Sequence, residues 1–264
     1  SKKKKCKSLA IVADLPIIKK KNLIMKIEDK MQEKLISRFD GIIPLTQNIA
    51  HDFAPNIPYC LVEAGYDPSD YVDIKINEYI DSSSKKIWNI VFSGTLNELS
   101  GIQLVLSAMD LVKNKNIILN IYGDGELKKY VIDASKKNSN ICYHGKVDNN
   151  EMISIQANCD VLICPRCSDN YTTKYTFPSK ILEYLCVGVP IICNPLPGIP
   201  KEYDKYLCYC ESENKEDWAN TIKKVISKDY NIYKTKALEA KQNFIKEKTW
   251  DAQCKKVIKF LKSI

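Results

Sequence analysis

The stretch CPRCSDNYTTKYTFPSKILEYLCVGVPIICNPLP, Cys164 to Pro197, contains a strand ending, a polar loop, a helix start and a second apolar strand. The run Asp160-Val-Leu-Ile-Cys164 is short and apolar without alternation, the pattern of a strand covered on both faces. Arg166 follows at once, at the carboxyl end of that strand, where open α/β sheets place their ligands. Pro178 has the fixed φ that suits the first turn of a helix, which puts Ser179, Lys180 and Glu183 in its opening turns. Backbone N–H groups at such an end attract anions, so a lysine there is locally unfavourable unless an anion joins it. Arg166, Lys174 and Lys180 are therefore expected to converge on one anionic group, most simply a diphosphate. Lys180 and Glu183 are three apart on one helix face, which leaves the carboxylate for sugar hydroxyls beside the phosphates.

Solvated charges flanking a strand-to-helix turn are the competing reading, and for Lys174 the two are evenly matched, because this chain is rich in lysine. Arg166 differs. Only Arg38 and Arg166 are arginines among the 40 basic residues, so an Arg directly after a buried strand points to bidentate oxyanion geometry.

The 264 residues suffice for one large or two modest domains, and 45% apolar with 27% charged residues is ordinary for a globular protein. No run approaches a membrane span, and no secretory signal is recognisable. The net charge of +8 comes almost wholly from lysine, with clusters at Lys2–Lys5 and Lys19–Lys21. Neither cluster is interleaved with aromatics or set on a recognition motif, so nucleic acid is not the expected partner. Solvated lysines come first, and weak attraction to an anionic membrane surface second. Eleven cysteines, several in strand-like runs (Cys142, Cys164, Cys193), fit reduced thiols serving as small hydrophobes in a cytoplasmic protein. The pairs Cys164-x-x-Cys167 and Cys208-x-Cys210 have mismatched spacing and lie at strand ends, against a zinc site or a redox motif.

Along the chain, residues 8–13 read as a strand and 22–38 as an amphipathic helix with Leu23, Ile27, Met31, Leu35 and Arg38 on its pattern. Gly41–Leu45 and Pro58–Val62 read as further strands, joined by a short helix near Gln47–Phe53. Three strands are too few for a complete doubly wound domain. Residues 66–86 are polar, with Pro68 and Ser82-Ser83-Ser84, and read as a linker. Strands follow near 88–93, 117–122, 140–143, 160–164, 190–193 and 206–209, separated by helices near 101–113, 125–137, 149–158, 178–187 and 214–227. Such alternation gives right-handed crossovers and a parallel doubly wound sheet. A last helix begins at Trp250. Three loops are expected to meet at the strand ends: Ser93-Gly94-Thr95-Leu96, where glycine permits close backbone approach; Gly123-Asp124-Gly125, a turn with capping chemistry; and His144-Gly145-Lys146-Val147. For His144, a satisfied polar group at a strand end is expected before a general base.

Four segments in order now carry a resemblance. They are FSGTLNELSGIQ (92–103), YGDGEL (122–127), YHGKVDNNEM (143–152), and the opening stretch with Pro165-Arg166, Thr173-Lys174-Tyr175, Phe177-Pro178-Ser179-Lys180, Glu183-Tyr184-Leu185, Gly188 and Pro190. Together they resemble GT-B glycosyltransferases of the family 4 type, in the branch reading PR, a polar loop, then TKYxFPSKxxEYLxxGxP. The resemblance implies an α/β fold of GT-B type. Residues 1–66 would form a partial N-terminal, acceptor-side Rossmann-like domain, 67–86 a linker, and 87–232 a complete C-terminal donor-binding domain with a doubly wound parallel sheet. Residues 233–264 would be C-terminal helices packing back toward the N-terminal part. Glu63-Ala64-Gly65-Tyr66-Asp67 resembles the stretch that ends the first domain, of which only the second half has a match here.

The implied activity is transfer of a sugar from a nucleoside diphosphate-sugar to an acceptor hydroxyl, with retained configuration, in surface glycan synthesis. Arg166 and Lys180 are the expected catalytic residues, stabilising the departing diphosphate. Gly94, Thr95, Val147, Lys174, Ser179 and Glu183 are the expected donor-binding residues, with the Val147 loop reading the base and Glu183 holding the ribose. Side chains supply the positive charge, so neither metal nor cofactor is expected. Many members carry Arg and Lys where Thr95 and Ser100 stand, and an acid eight residues before Glu183, where this chain has Tyr175. The acceptor is expected to be a glycan or lipid-linked glycan, with the protein cytoplasmic and peripheral on the inner membrane face. The alternatives are a non-catalytic or split donor-binding subunit that needs a partner chain for the missing half, and a GT-B sugar-nucleotide epimerase.

Overall fold

The computed structural model describes residues 6–13, 31, 34–72, 74, 86–168, 172–227 and 229–264. Its main body is a six-stranded parallel sheet in the order β5-β4-β3-β6-β7-β8, where β3 is Trp88–Ser93, β4 Ile117–Tyr122, β5 Ile141–Gly145, β6 Val161–Cys164, β7 Ile191–Cys193 and β8 Leu207–Tyr209. Counted from β3, this is the doubly wound order 3-2-1-4-5-6, and the chain reverses direction across the sheet between β3 and β6. The central strands feed both faces. Ile90 and Phe92 of β3 with Val161 and Ile163 of β6 join one core, closed by the helices Ile102–Met109 and Lys215–Val225. Val91, Leu162 and Cys164 join the opposite core, closed by Asn149–Ala157 and Ser179–Val187. That is why these strands read as apolar runs without alternation.

A smaller two-stranded parallel sheet pairs β1 (Leu9–Val12) with β2 (Gly41–Pro44). The helix Gln47–Phe53 follows, as the sequence predicts. The expected third strand, Pro58–Val62, is only partly formed. Backbone bonds run from Ile42 N to Pro58 O, Cys60 N to Ile42 O and Val62 N to Pro44 O, but the pairing amounts to one bridge at Tyr59. Pro44 and Pro58 each lack a donor, which cuts the ladder short. Of the expected 22–38 helix, residue 31 and residues 34–36 are helical, residues 37 and 38 form a turn, and the others lie outside the described residues, as do both lysine clusters and most of the expected 66–86 linker. Pro68–Tyr71 makes a 3-10 turn capped by Asp67, and Tyr66 and Tyr71 pack on the second core.

The helices Tyr230–Gln242 and Trp250–Ser263 close the chain. The last one returns to the small sheet. Trp250 lies on Gly65, where a Cβ would stand 2.5 Å from the indole, and Phe260 lies over Gly41. Thr249 caps that helix and bridges to Tyr66. Lys248, with a side chain 5% exposed, reaches the fully buried Glu63 and also Glu202, so three distant segments meet at one ammonium group. All eleven cysteines are free and seven are buried. Burial pushes the Cys164 thiol up to about 11, consistent with an inert core thiol. Among the described residues no helix is long and apolar enough to cross a membrane.

Candidate functional site

Two cavities open at the carboxyl ends of the strands, side by side at the topological switch point. The first, of about 320 Å³, lies between the ends of β3 and β6 and is lined by Gly94, Thr95, Arg166, Ser179 and Lys180 among others. The second, of about 490 Å³, lies between the ends of β3, β4 and β5, lined by Gly94, Thr95, Tyr122, Lys146, Val147 and Lys180. They share Ser93, Gly94, Thr95 and Lys180. Lys180 also lines a third cavity, of about 230 Å³, with Asp67, Asp70, Tyr71 and Glu183. One lysine thus lines all three cavities.

Its position follows from local sequence. Pro178, extended at φ −76° and ψ 94°, precedes the helix Ser179–Val187, whose Ile181, Leu182, Tyr184 and Leu185 are buried. That apolar face fixes the rotation of the helix and leaves Lys180 and Glu183 on the open side. The two side chains pair at 3.0 Å, each about two-fifths exposed. An anion in the first cavity would compete with Glu183 for the ammonium group.

The glycine loop is held from below. Ser93, buried at the end of β3, exchanges hydrogen bonds with the Tyr184 hydroxyl (3.0 Å between oxygens) and accepts from Gln156 Nε2 at 3.0 Å. A Cβ on Gly94 would meet only the Phe92 ring, at 3.6 Å, so its backbone faces open space in the cavity wall. Gly123 is required for another reason. A Cβ there would lie 1.9 Å from Gly94 O, so the loops after β3 and β4 touch backbone to backbone.

Arg166 is anchored by a group that sequence reasoning missed. Asn194, fully buried just beyond β7, donates through Nδ2 to Pro165 O and Arg166 O, both at 3.1 Å, and accepts from the Trp218 indole N–H at 3.0 Å. A polar residue directly after the buried run Ile191–Cys193 was the available signal. The guanidinium donates from Nη2 to Thr176 Oγ1 at 3.1 Å, while its Nε is buried without a partner.

The structure therefore brings Arg166, Ser179, Lys180, Gly94 and Thr95 to one cavity and Val147 to its neighbour, with Glu183 one cavity further on. It does not bring Lys174. That side chain is absent from the lining of the first cavity and pairs with Asp52 of the helix Gln47–Phe53 at 2.5 Å. The convergence of three cations expected from sequence reduces to two, because the short helix Thr172–Tyr175 docks against Gln47–Phe53 and turns Lys174 outward. Tyr175, eight residues before Glu183, also faces Asp52, donating to it at 2.8 Å. His144 lines neither cavity. Its ring stacks on Tyr122 at 4.6 Å and its Nε2 lies 2.8 Å from Asn120 Oδ1, a satisfied polar group. Among the described residues no group of His, Cys, Asp or Glu side chains is gathered to hold a metal ion.

Residues 76–249 match the family described as glycosyl transferases group 1. The chain is 28% identical over 129 residues to an uncharacterized 41.2 kDa protein in the cps region of Klebsiella pneumoniae, an overlap of 48% of this chain and 32% of that protein. It thus spans about a third of that relative's length. The fold is similar to HepE of Anabaena, solved in complex with UDP (TM-score 0.73, 15% identity, covering 97% of this chain and 72% of that one). It is also similar to WaaG, a glycosyltransferase involved in lipopolysaccharide biosynthesis (TM-score 0.64, 15% identity, covering 96% and 74%), and to the GtfA/B complex (TM-score 0.63, 14% identity, covering 88% and 47%). At these identities the structural likeness establishes the GT-B fold. With two-thirds of its length matched, the chain belongs to the glycosyl transferases group 1 family.

Proposed function

We propose that this chain transfers a sugar from a nucleoside diphosphate-sugar, with UDP as the first candidate, to an acceptor hydroxyl. The observation that carries the reading is the placement of Lys180 in the lining of all three cavities, with Arg166 lining the first of them. A diphosphate in the first cavity would lie against Arg166, Ser179 and the first turn of the Ser179–Val187 helix. Breaking the bond from the sugar to the diphosphate sends an electron pair onto the phosphate oxygen. Fixed cations and helix N–H groups stabilise that developing charge. Arg166 and Lys180 take this role, so the reading needs no divalent metal, and turnover unaffected by a chelator is the expected result. The nucleoside lies toward Val147 and Tyr122. Glu183 releases Lys180 to the phosphates and takes the ribose hydroxyls. HepE, solved with UDP, and a relative in a cps region support a UDP-sugar and a surface polysaccharide. Retention of configuration, the family 4 type, a glycan or lipid-linked acceptor and a cytoplasmic, membrane-peripheral seat belong to the same proposal.

The test is isothermal titration with UDP, GDP and ADP. One nucleotide should bind in the micromolar range, and Lys180→Ala should weaken it about tenfold or more, the worth of one charge-assisted hydrogen bond. Equal binding by Lys180→Ala removes the proposed role. A second reading, in which a partner chain completes the acceptor side, is favoured by one observation. Among the described residues β1 pairs only with β2, and its Ile11 is 77% exposed.

A further inference from the structure

Lys174 and Tyr175 do not point into the donor cavity, and the contacts that turn them away form a continuous route back to it. Asp52, in the last turn of the helix Gln47–Phe53, receives both: Tyr175 donates from its hydroxyl at 2.8 Å and Lys174 Nζ pairs at 2.5 Å. Burial alone would raise the Asp52 carboxyl. The hydrogen bonds from Lys174 and Tyr175 outweigh it and hold the group below the ordinary carboxylate value. The Tyr175 ring packs edge-on against Phe53, with centroids 5.3 Å apart, beside Ile49 and Val12. Asn48 Nδ2 adds bonds to Lys174 O at 3.0 Å and Pro197 O at 2.9 Å.

These contacts matter because the segment they hold cannot hold itself. Thr172–Tyr175 is a single helical turn, too short to be stable alone. The next residue, Thr176, donates from Oγ1 back to Thr172 O at 3.0 Å, and with that proton committed the oxygen accepts from Arg166 Nη2 at 3.1 Å. The backbone at Arg166 is fixed by Asn194, but the direction of the guanidinium rests on Thr176. We propose that Asp52 is a positioning residue for the donor site: by gripping Lys174 and Tyr175 it fixes the turn Thr172–Tyr175, and with it the Thr176 hydroxyl that aims the Arg166 guanidinium. The helix Gln47–Phe53 thereby sets the geometry of the donor site. The consequence for turnover rests on the function proposed above, whereas the route of contacts does not.

The chain has only two arginines, Arg38 and Arg166, so a spectrum of arginine Nε–H groups contains two signals at most, assigned with Arg166→Lys. In Asp52→Asn, which keeps the shape and removes the charge, the Arg166 signal should shift and broaden while that of Arg38 stays in place. Tyr175→Phe, which removes one of the two grips, should move it in the same direction by less. UDP titrated into the same variants should bind about tenfold more weakly to Asp52→Asn, the worth of one misaimed charge-assisted bond. An Arg166 signal unchanged in both variants overturns the proposal, whatever happens to affinity. A signal that moves while UDP affinity holds leaves the coupling standing and defeats the role of Arg166 in donor binding. Should Asp52→Asn fail to fold, Tyr175→Phe decides by the same signal.

Discussion

Replacing Lys248 by Met tests how firmly the two parts of the molecule are joined. The ammonium group lies between Glu63, whose side chain is fully buried, and Glu202, whose side chain is 51% exposed. Removing it costs little at Glu202, which turns to water. At Glu63 the charge stays buried with one partner left, the Tyr203 hydroxyl at 2.8 Å on Oε1, while Oε2 has none even in the intact protein. Breaking a buried pair from one side typically costs about 3–5 kcal/mol. For a protein of this size that corresponds to a fall in Tm of roughly 6–20 °C. Calorimetry and urea unfolding measure it, and Glu63→Gln combined with Lys248→Met should recover most of the loss, because no buried charge is then left alone. The pH dependence has a definite sign. Burial would lower the Lys248 pKa, but Glu63 and Glu202 outweigh it and raise it above the ordinary 10.5. The contribution is therefore complete below about pH 10.5 and is lost as the pH rises through the raised value, so the gap between wild type and Lys248→Met should narrow there. A single-variant loss under about 1 kcal/mol, or a double variant as unstable as the sum of the two singles, would refute the reasoning.

Asn194→Ala should both destabilise the protein, by about 2–4 kcal/mol, and weaken UDP binding, since it strips the Trp218 N–H and the Pro165 and Arg166 carbonyls of a buried partner. Unfolding and titration on the same sample separate the two effects. Gly101→Ala should cost about 1–3 kcal/mol, because its φ is +71° and a Cβ would stand 1.9 Å from Pro165 O. It should also lower affinity by displacing the loop that carries Arg166, and wild-type binding would show that this loop tolerates the shift.

The large sheet and the cavity at its carboxyl edge were legible because their signals are local. Apolar runs of strand length, alternating with helical segments, specify a parallel sheet. Pro178 marks a helix start, which puts Ser179, Lys180 and Glu183 in its opening turns, and the common face of Lys180 and Glu183 follows from helix periodicity alone. Arg166 at a strand end needed only the rule that parallel sheets bind at their carboxyl edge. Where a polar loop intervenes, that logic ends. Lys174 sits on a separate four-residue turn, and its direction is set by Asp52, 122 positions earlier in the chain, so the sequence left a phosphate ligand and a solvated charge evenly matched there and only the packing decides.

The six-stranded doubly wound sheet, the place of the cavity at its switch point, and the presence there of Arg166 and Lys180 can all be read along the chain, since each depends on periodicity or on residues a few positions apart. Which cations share a cavity, that Asn194 holds the Arg166 backbone, and that Glu63 and Lys248 meet across 185 positions are visible in three dimensions alone. Such contacts depend on how separate elements dock. Docking is governed by the summed burial of whole faces, so no single residue in the sequence announces its partner.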